Sequence, residues 1–249
     1  MIKPKILFYD LETTPSTAHI WGLWQEVRSM DFVVKDWYVL CWSAKWLGVN
    51  KIMSAGIKSK SENDKQIVSK LWELLDEADV VVAHNAVKFD CRKINTRFVK
   101  YGMNPPSPYK VVDTLRIARK YFYFTSNRLG DLGKFLKVGE KMNTGGFKLW
   151  KECMAGDKVA WKKMMRYCDQ DVLVLEGIYD KMLPYMTNHP NLSVLVDRAV
   201  CPKCGSNWIQ YRGHIITGAK KYKRFQCQTC GGWGRSTKSV SEGTTTRNV

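Results

Sequence analysis

Four carboxylates in three short segments have the residue types and spacing to hold a pair of divalent cations. Asp10 and Glu12 stand in Phe8-Tyr9-Asp10-Leu11-Glu12, Asp90 closes His84-Asn85-Ala86-Val87-Lys88-Phe89-Asp90, and Asp171 closes Tyr167-Cys168-Asp169-Gln170-Asp171. Hydrolysing a phosphodiester requires a deprotonated water, neutralised phosphoryl oxygens and a stabilised leaving oxygen, and two cations about 3.5–4 Å apart meet all three demands. Carboxylates from separate elements suit hard Mg²⁺ or Mn²⁺, and the cations keep such converging acids ionised. Each segment alone is weak, since Asp-x-Glu recurs by chance and Asp171 could be a solvated helix residue. Their joint occurrence points to a metal-dependent phosphodiesterase.

These acids need particular elements beneath them. The apolar run Ile6-Leu7-Phe8-Tyr9 reads as a buried strand, and alternation along it puts Asp10 and Glu12 on one face. Val172, Leu175, Ile178, Tyr179 and Met182 recur at helical spacing, so Tyr167 and Asp171 share a face one turn apart. Asp169 then points away from them and reads as a surface residue. Trp37 to Leu47 and Lys51 to Ile57 read as a strand hairpin around Gly48-Val49-Asn50. Ser61-Glu62-Asn63-Asp64 resembles a capping box opening a helix with Ile67, Leu71, Trp72 and Leu75 on its apolar face. Val80-Val81-Val82-Ala83 suits a buried parallel strand, and Asp90 follows its carboxyl end, a common place for sites in open α/β sheets. Lys110 to Thr114 reads as a further strand, with Asp113 placed either near the site or, more commonly for such a residue, as a helix cap. A helix starting near Thr125 and running to about Leu136, and a turn at Thr144-Gly145-Gly146, precede the last motif.

The three segments together resemble the DEDD 3′–5′ exonucleases of the ribonuclease H fold, the group that includes the proofreading domain of family B DNA polymerases. Asp10 and Glu12 match that family's Asp-x-Glu motif, and Asn85, Phe89 and Asp90 match its Asn-x-x-x-Phe-Asp motif. The third motif has Tyr four residues, or His five residues, before its Asp. Here position 167 is Tyr and position 166 is Arg, so the resemblance is to the tyrosine branch. It implies a ribonuclease H-like mixed α/β sheet flanked by helices. It also implies two Mg²⁺ or Mn²⁺ on Asp10, Glu12, Asp90 and Asp171, a water oriented by Tyr167, and substrate contacts from Asn85 and Phe89.

Eight cysteines fall into two groups. Cys41, Cys91, Cys153 and Cys168 are scattered among apolar residues and read as reduced thiols. Cys201-Pro202-Lys203-Cys204-Gly205 and Cys227-Gln228-Thr229-Cys230-Gly231 form a CxxC pair of knuckles suited to one structural Zn²⁺. Two disulfides are the alternative, and His214 between the knuckles reads as a bystander. The segment resembles the zinc ribbons of transposases and phage nucleases. Its stretch Lys220-Lys221-Tyr222-Lys223-Arg224-Phe225 alternates cations with aromatics on an expected hairpin arm, and both classes of side chain suit a nucleic-acid strand. Trp208, Tyr211 and Trp233 add aromatic faces that could equally form the ribbon's core.

The 249 residues, 45% of them hydrophobic, are enough for one substantial core and an appendage. Boundaries are expected at 1–190 for the ribonuclease H-like domain, 197–236 for the ribbon and 237–249 for a disordered tail, with His189-Pro190 breaking the helical pattern before the ribbon. A net charge of +17 favours a polyanionic partner without distinguishing DNA from RNA. No apolar stretch reaches the ~18 residues of a membrane span, and the N-terminus carries no signal-peptide pattern. The expected location is the cytoplasm, or a host's cytoplasm if the chain is viral. The resulting expectation is a 3′–5′ exonuclease that releases nucleoside 5′-monophosphates from nucleic acid, with single-stranded DNA favoured over RNA. A structure-selective endonuclease and a catalytically inactive zinc-ribbon binding protein are the alternatives. Oligomeric state is not legible.

Overall fold

The computed structural model describes residues 4–24, 26, 29–57, 61–196 and 199–241. The chain divides into two compact units, one of Lys5–Arg116 with Phe124–Ile178, the other of Met1–Pro4, Ile117–Tyr123 and Tyr179–Val249.

The larger unit is built on five strands. They are interleaved with helices: β1 (Ile6–Thr13), a small hairpin of β2 (Thr17–Ala18) and β3 (Val33–Lys35), β4 (Val39–Trp46), β5 (Ile52–Gly56), α1 (Lys65–Glu77), β6 (Val80–Ala83), α2 (Asp90–Lys100) and β7 (Lys110–Asp113). The main sheet has the order β5-β4-β1-β6-β7. β4 runs antiparallel to both β1 and β5, whereas β6 lies parallel to β1 and β7, giving the expected mixed sheet. Ile6 to Tyr9 and Val80 to Ala83 are buried throughout, as continuous apolar runs in a sheet covered on both faces should be. The α3 helix (Thr114–Tyr121), α4 (Leu129–Leu136), α5 (Lys148–Met154) and the 25-residue α6 (Lys158–Met182) follow. Val172, Leu175, Ile178, Tyr179 and Met182 on α6 are all buried.

Three local expectations are corrected. The capping box does not form: Asp64 makes no side-chain cap bond, and Lys65 N donates to Asn63 Oδ1 at 3.0 Å instead. Asp64 is fully buried because its carboxylate accepts from Val39 N at 2.8 Å, from Arg97 Nη2 and from the Tyr101 hydroxyl. Arg97 is itself 1% exposed, so the demand of a buried guanidinium outweighs that of a helix end. Asp169 is not a free surface residue either, for its Oδ1 accepts from the buried Ser43 hydroxyl at 2.6 Å. The helix expected near Thr125 starts later, at Leu129.

In the smaller unit, 3₁₀ turns at Leu183–Tyr185 and Leu192–Leu195 flank His189-Pro190 and lead to a three-stranded antiparallel sheet. Its strands are β8 (Ile209–Thr217), β9 (Lys220–Cys227) and β10 (Trp233–Ser239), in the order β10-β9-β8. The expected arm is the β8–β9 hairpin, turned at Gly218 with φ of 57°. β10 continues past 236, with Ser239 Oγ and Val240 N both donating to Lys221 O. Residues 242–249 of the expected tail lie outside the described residues. Among the described residues, no helix is long and apolar enough to cross a membrane.

Candidate active site

Asp10 and Glu12 leave the same face of β1 near its carboxyl end, opposite Ser43 and Cys41 of β4. Asp171 on α6 joins them, and one carboxylate oxygen from each of the three lies within 4.8 Å of the others. Two residue pairs fasten α6 onto β4 around this point. Ser43 reaches Asp169, and two residues along the same strand Lys45 donates to both oxygens of Glu176 at 2.6 Å. Asp169 and Glu176 are seven residues, two turns, apart, so together they fix the rotation that aims Tyr167 and Asp171 at β1.

Asp90, the first residue of α2, is 1% exposed and stands outside the 4.8 Å cluster. It still feels Asp10 and Glu12, whose charges add to burial in raising its pKa. The segment that delivers it turns at Asn85, which adopts φ of 68°, a left-handed conformation that Asn tolerates better than most residues. Asp113 holds this turn, with Oδ1 accepting from Asn85 N at 3.0 Å and Oδ2 from Val87 N at 3.2 Å. The same carboxylate caps α3 through Leu115 N and Arg116 N. Of the alternatives read for Asp113, the helix cap is the one that forms, and Asp113 lies outside the acidic cluster. Phe89, half-buried before α2, lies under the Lys93 ammonium, and Asn85 spends its backbone on the turn.

Burial and mutual repulsion dominate the electrostatics of the acids, and the one ammonium beside them, that of Lys141, offsets these only in part. Burial first, and then the Asp171 charge, raises Asp10 to about 7. Burial and Asp10 raise Glu12 well above the usual carboxylate range. Burial raises Asp171 too, against the Lys141 ammonium, which stands 2.8 Å from its Oδ2. Asp90 Oδ1 and Asp171 Oδ1 are buried, with no hydrogen-bond partner among the described residues. A buried, unpaired carboxylate oxygen is costly, and an all-oxygen donor set with two such atoms fits hard divalent cations. Tyr167 is 4% exposed, packs edge-on against Trp150 at 6.1 Å and sits beside Asp171, whereas Arg166 is exposed. Burial, and then the charge of Glu12, raises the Tyr167 phenol, so it keeps its proton.

Lys141 was not legible as a site residue. Its ammonium pairs with Asp171 and lies 4.7 Å from the Tyr167 ring centroid, yet it comes from an irregular segment with no periodicity to place it. A basic residue between a helix and a glycine turn was the only signal available.

The four cysteines of the knuckles also converge, their sulfurs within 4.8 Å of one another. Cys201 Sγ lies 3.7 Å from Cys230 Sγ, and Cys204 Sγ 3.6 Å from Cys227 Sγ, with no disulfide among them. Tetrahedral zinc with Zn–S near 2.3 Å places sulfurs about 3.8 Å apart, so the set fits that ion. Gly205 and Gly231, at φ of 72° and 75°, close equivalent turns in which their amides donate to Cys201 O and Cys227 O. Hydrogen bonds from Cys204 and Cys230 lower Cys201 and raise those two partners, so the cluster favours one thiolate held by protonated neighbours.

On the arm, Lys220, Lys221, Lys223 and Arg224 are exposed and Tyr222 is half-exposed under the Arg235 guanidinium. Phe225 corrects the expectation of nucleic-acid contact. It is 5% exposed, packs edge-on to Tyr211, and lies so close to Gly234 that a Cβ there would meet its ring at 2.4 Å. Its position on the inward face of β9 makes it part of the core beneath the three-stranded sheet.

The RNase_H superfamily model matches residues 43–183, and the chain belongs to that superfamily. It is similar to a PolC-type DNA polymerase III from Ureaplasma parvum, 38% identical over 79 residues that make up 30% of this chain and 5% of the polymerase. It is also similar to Protein NEN3 of Arabidopsis thaliana, 30% identical over 67 residues, 27% of this chain and 12% of that protein. The chain therefore spans a small part of these curated relatives. In fold it is similar to the family B DNA polymerase of the hyperthermophilic archaeon Pyrobaculum calidifontis. The TM-score is 0.57 and the identity 14%, with 88% of this chain and 33% of the polymerase chain covered.

Proposed function

We propose that the protein is a metal-dependent 3′–5′ exonuclease of the tyrosine branch, acting on a nucleic-acid strand and releasing nucleoside 5′-monophosphates. The observation that carries this reading is the convergence of Asp10, Glu12 and Asp171 within 4.8 Å, flanked by unpaired buried oxygens on Asp90 and Asp171. In this proposal Asp10, Glu12, Asp90 and Asp171 would hold two Mg²⁺ or Mn²⁺. The bound cations supply neutralisation of the phosphodiester and acidification of the attacking water. Tyr167, whose phenol keeps its proton, orients that water and does not deprotonate it. Lys141 balances Asp171 and keeps a positive charge beside the reacting phosphate. Asp113 holds Asn85 and Val87, and through them the turn that presents Asp90. The polarity rests on the motif resemblance, and DNA is favoured over RNA as the single strand.

In the same reading the four cysteines hold one structural Zn²⁺, and the ribbon of about 197–236, appended to the domain of 1–190, engages the strand. The test is a time course on a 3′-labelled single strand with Mg²⁺, beside a circular single strand. Wild type should degrade the linear strand progressively from its 3′ end and leave the circle intact. Asp10→Asn should lower the rate by at least a thousandfold, on the order of the 4 kcal/mol that loss of a charge-stabilising group costs in other hydrolases. Undiminished activity in that variant, with the fold intact by circular dichroism, overturns the assignment.

A further inference from the structure

Unit Tyr179–Val249, with Ile117–Tyr123, contains a cavity of about 710 Å³ whose lining residues all belong to that unit. That volume is in the range of small-molecule sites, about 300–1,000 Å³. Its wall combines two chemistries. Met186, Ile215 and Trp233 supply an apolar surface, with the indole still 47% exposed. Arg224, Arg235 and Lys203 supply positive charge, and among the described residues no carboxylate lines it. The imbalance extends well beyond the cavity, for residues 199–241 include eight Lys or Arg and no Asp or Glu.

The two arginines are held by backbone and rings, and among the described residues no carboxylate pairs with them. Arg224 donates through Nε to Arg212 O at 2.7 Å and lies 5.2 Å from the Trp233 ring centroid. Arg235 donates through Nη1 to Ser236 O at 3.1 Å and stacks 4.0 Å over Tyr222. Both guanidinium groups are thus oriented without being neutralised, the state in which they best take a phosphate. A flat aromatic face beside two such cations matches one ligand chemistry, an unpaired base carrying its own phosphate. Metal ions and neutral metabolites do not fit, because the wall offers no anionic ligand and a surplus of positive charge.

We infer that this cavity is a nucleotide-binding site for one unpaired nucleotide of the substrate strand, its base stacked on Trp233 and its phosphate held by Arg224 and Arg235. The site rests on the nucleic-acid reading proposed above, and it deepens that reading by moving strand recognition from the hairpin's Lys220–Lys223 to the cavity.

The experiment measures binding of fluorescent oligo(dT) to the full-length, zinc-loaded protein without added Mg²⁺, beside binding of thymidine 5′-monophosphate. A third arm follows hydrolysis of thymidine 5′-p-nitrophenyl phosphate with Mg²⁺. Trp233→Ala should weaken oligo(dT) binding about tenfold, within the range for one base–aromatic stack, and Trp233→Phe should restore it to within about threefold. Arg224→Gln should reduce the salt dependence by about one counterion. None of the three should change hydrolysis of the small ester or zinc content. Oligo(dT) binding unchanged in Trp233→Ala, or not restored in Trp233→Phe, overturns the site. Thymidine monophosphate binding as tightly as oligo(dT) overturns the strand assignment in favour of a free nucleotide. Failure of the wild type to cleave the ester overturns the exonuclease reading alone, because the binding arms need no catalysis.

Discussion

Asp10 is the residue at which charge, proton and cation compete most directly. In an unfolded chain its carboxyl has an ordinary pKa near 3.9, but burial and then Asp171 raise it to about 7 in the fold. The folded state therefore keeps a proton that the unfolded state has released between roughly pH 4 and 7. Stability of the metal-free protein should fall as pH rises through that window and level off above it. A divalent cation replaces the proton and offsets this loss. The increase in Tm produced by Mg²⁺ should thus be small at pH 5.5, grow towards pH 7 and level off by about pH 8, measured by scanning calorimetry. A pH-independent increase would argue that Mg²⁺ binds elsewhere. Lys141 is the second competitor, since its ammonium already occupies the Asp171 carboxylate. Lys141→Gln should tighten Mn²⁺ binding several-fold in titration calorimetry, an effect of about 1 kcal/mol for one removed charge in a partly exposed site, while slowing strand hydrolysis. Weaker Mn²⁺ binding in that variant would show that Lys141 supports the carboxylates and does not compete for them. Asp10 and Glu12 were legible because a strand has a strict period of two. Lys141 was not, because no period governs the segment that brings it there.

The sheet's legibility follows from burial. β1, β4 and β6 are long or wholly apolar, and such runs admit few alternatives. The two- and three-residue strands β2 and β3 gave no pattern to read. Helix starts were harder, because Asn, Asp and Ser near a helix can serve either the cap or something distant. At the start of α1, Asp64 serves Arg97 of α2, and the pair ties these helices to Val39 N at the head of β4. Arg97→Met should leave the buried Asp64 carboxyl without its cation, a loss of about 3–5 kcal/mol in urea unfolding. Adding Asp64→Leu should recover much of that, since an apolar pair of similar volume often replaces a buried ion pair without net loss. A loss below about 1 kcal/mol in the single variant would mean that the Tyr101 hydroxyl and Val39 amide satisfy Asp64 unaided. The same competition explains Asp169, which the helical period placed correctly away from Asp171. The period says nothing of what waits on the other side, and there the hydroxyl of Ser43 is buried in the sheet.

Across the whole chain, the net charge of +17 is unevenly placed. The smaller unit holds 14 of the 40 Lys and Arg residues but 3 of the 23 Asp and Glu, so +11 falls on less than half of the chain. Charge of this kind sets affinity for any polyanion and makes it depend on salt, whereas the carboxylates that would do the chemistry all lie in the larger unit. Chemistry and strand binding should therefore be separable by removing one metal. A small three-stranded sheet with Phe225 as one of its few buried side chains has little core of its own, and under the proposed zinc site the binding energy of that ion would also be its folding energy. Cys204→Ser should abolish the single zinc per chain read by atomic absorption and unfold the strands around it. Single-strand binding should weaken at least tenfold and lose much of its salt dependence, while hydrolysis of a small phosphodiester by the larger unit changes less than about threefold. Equal loss of both activities would mean that the zinc-bound unit supports the catalytic carboxylates. Retention of strand binding would place recognition on the larger unit and leave the basic ribbon without a part in it.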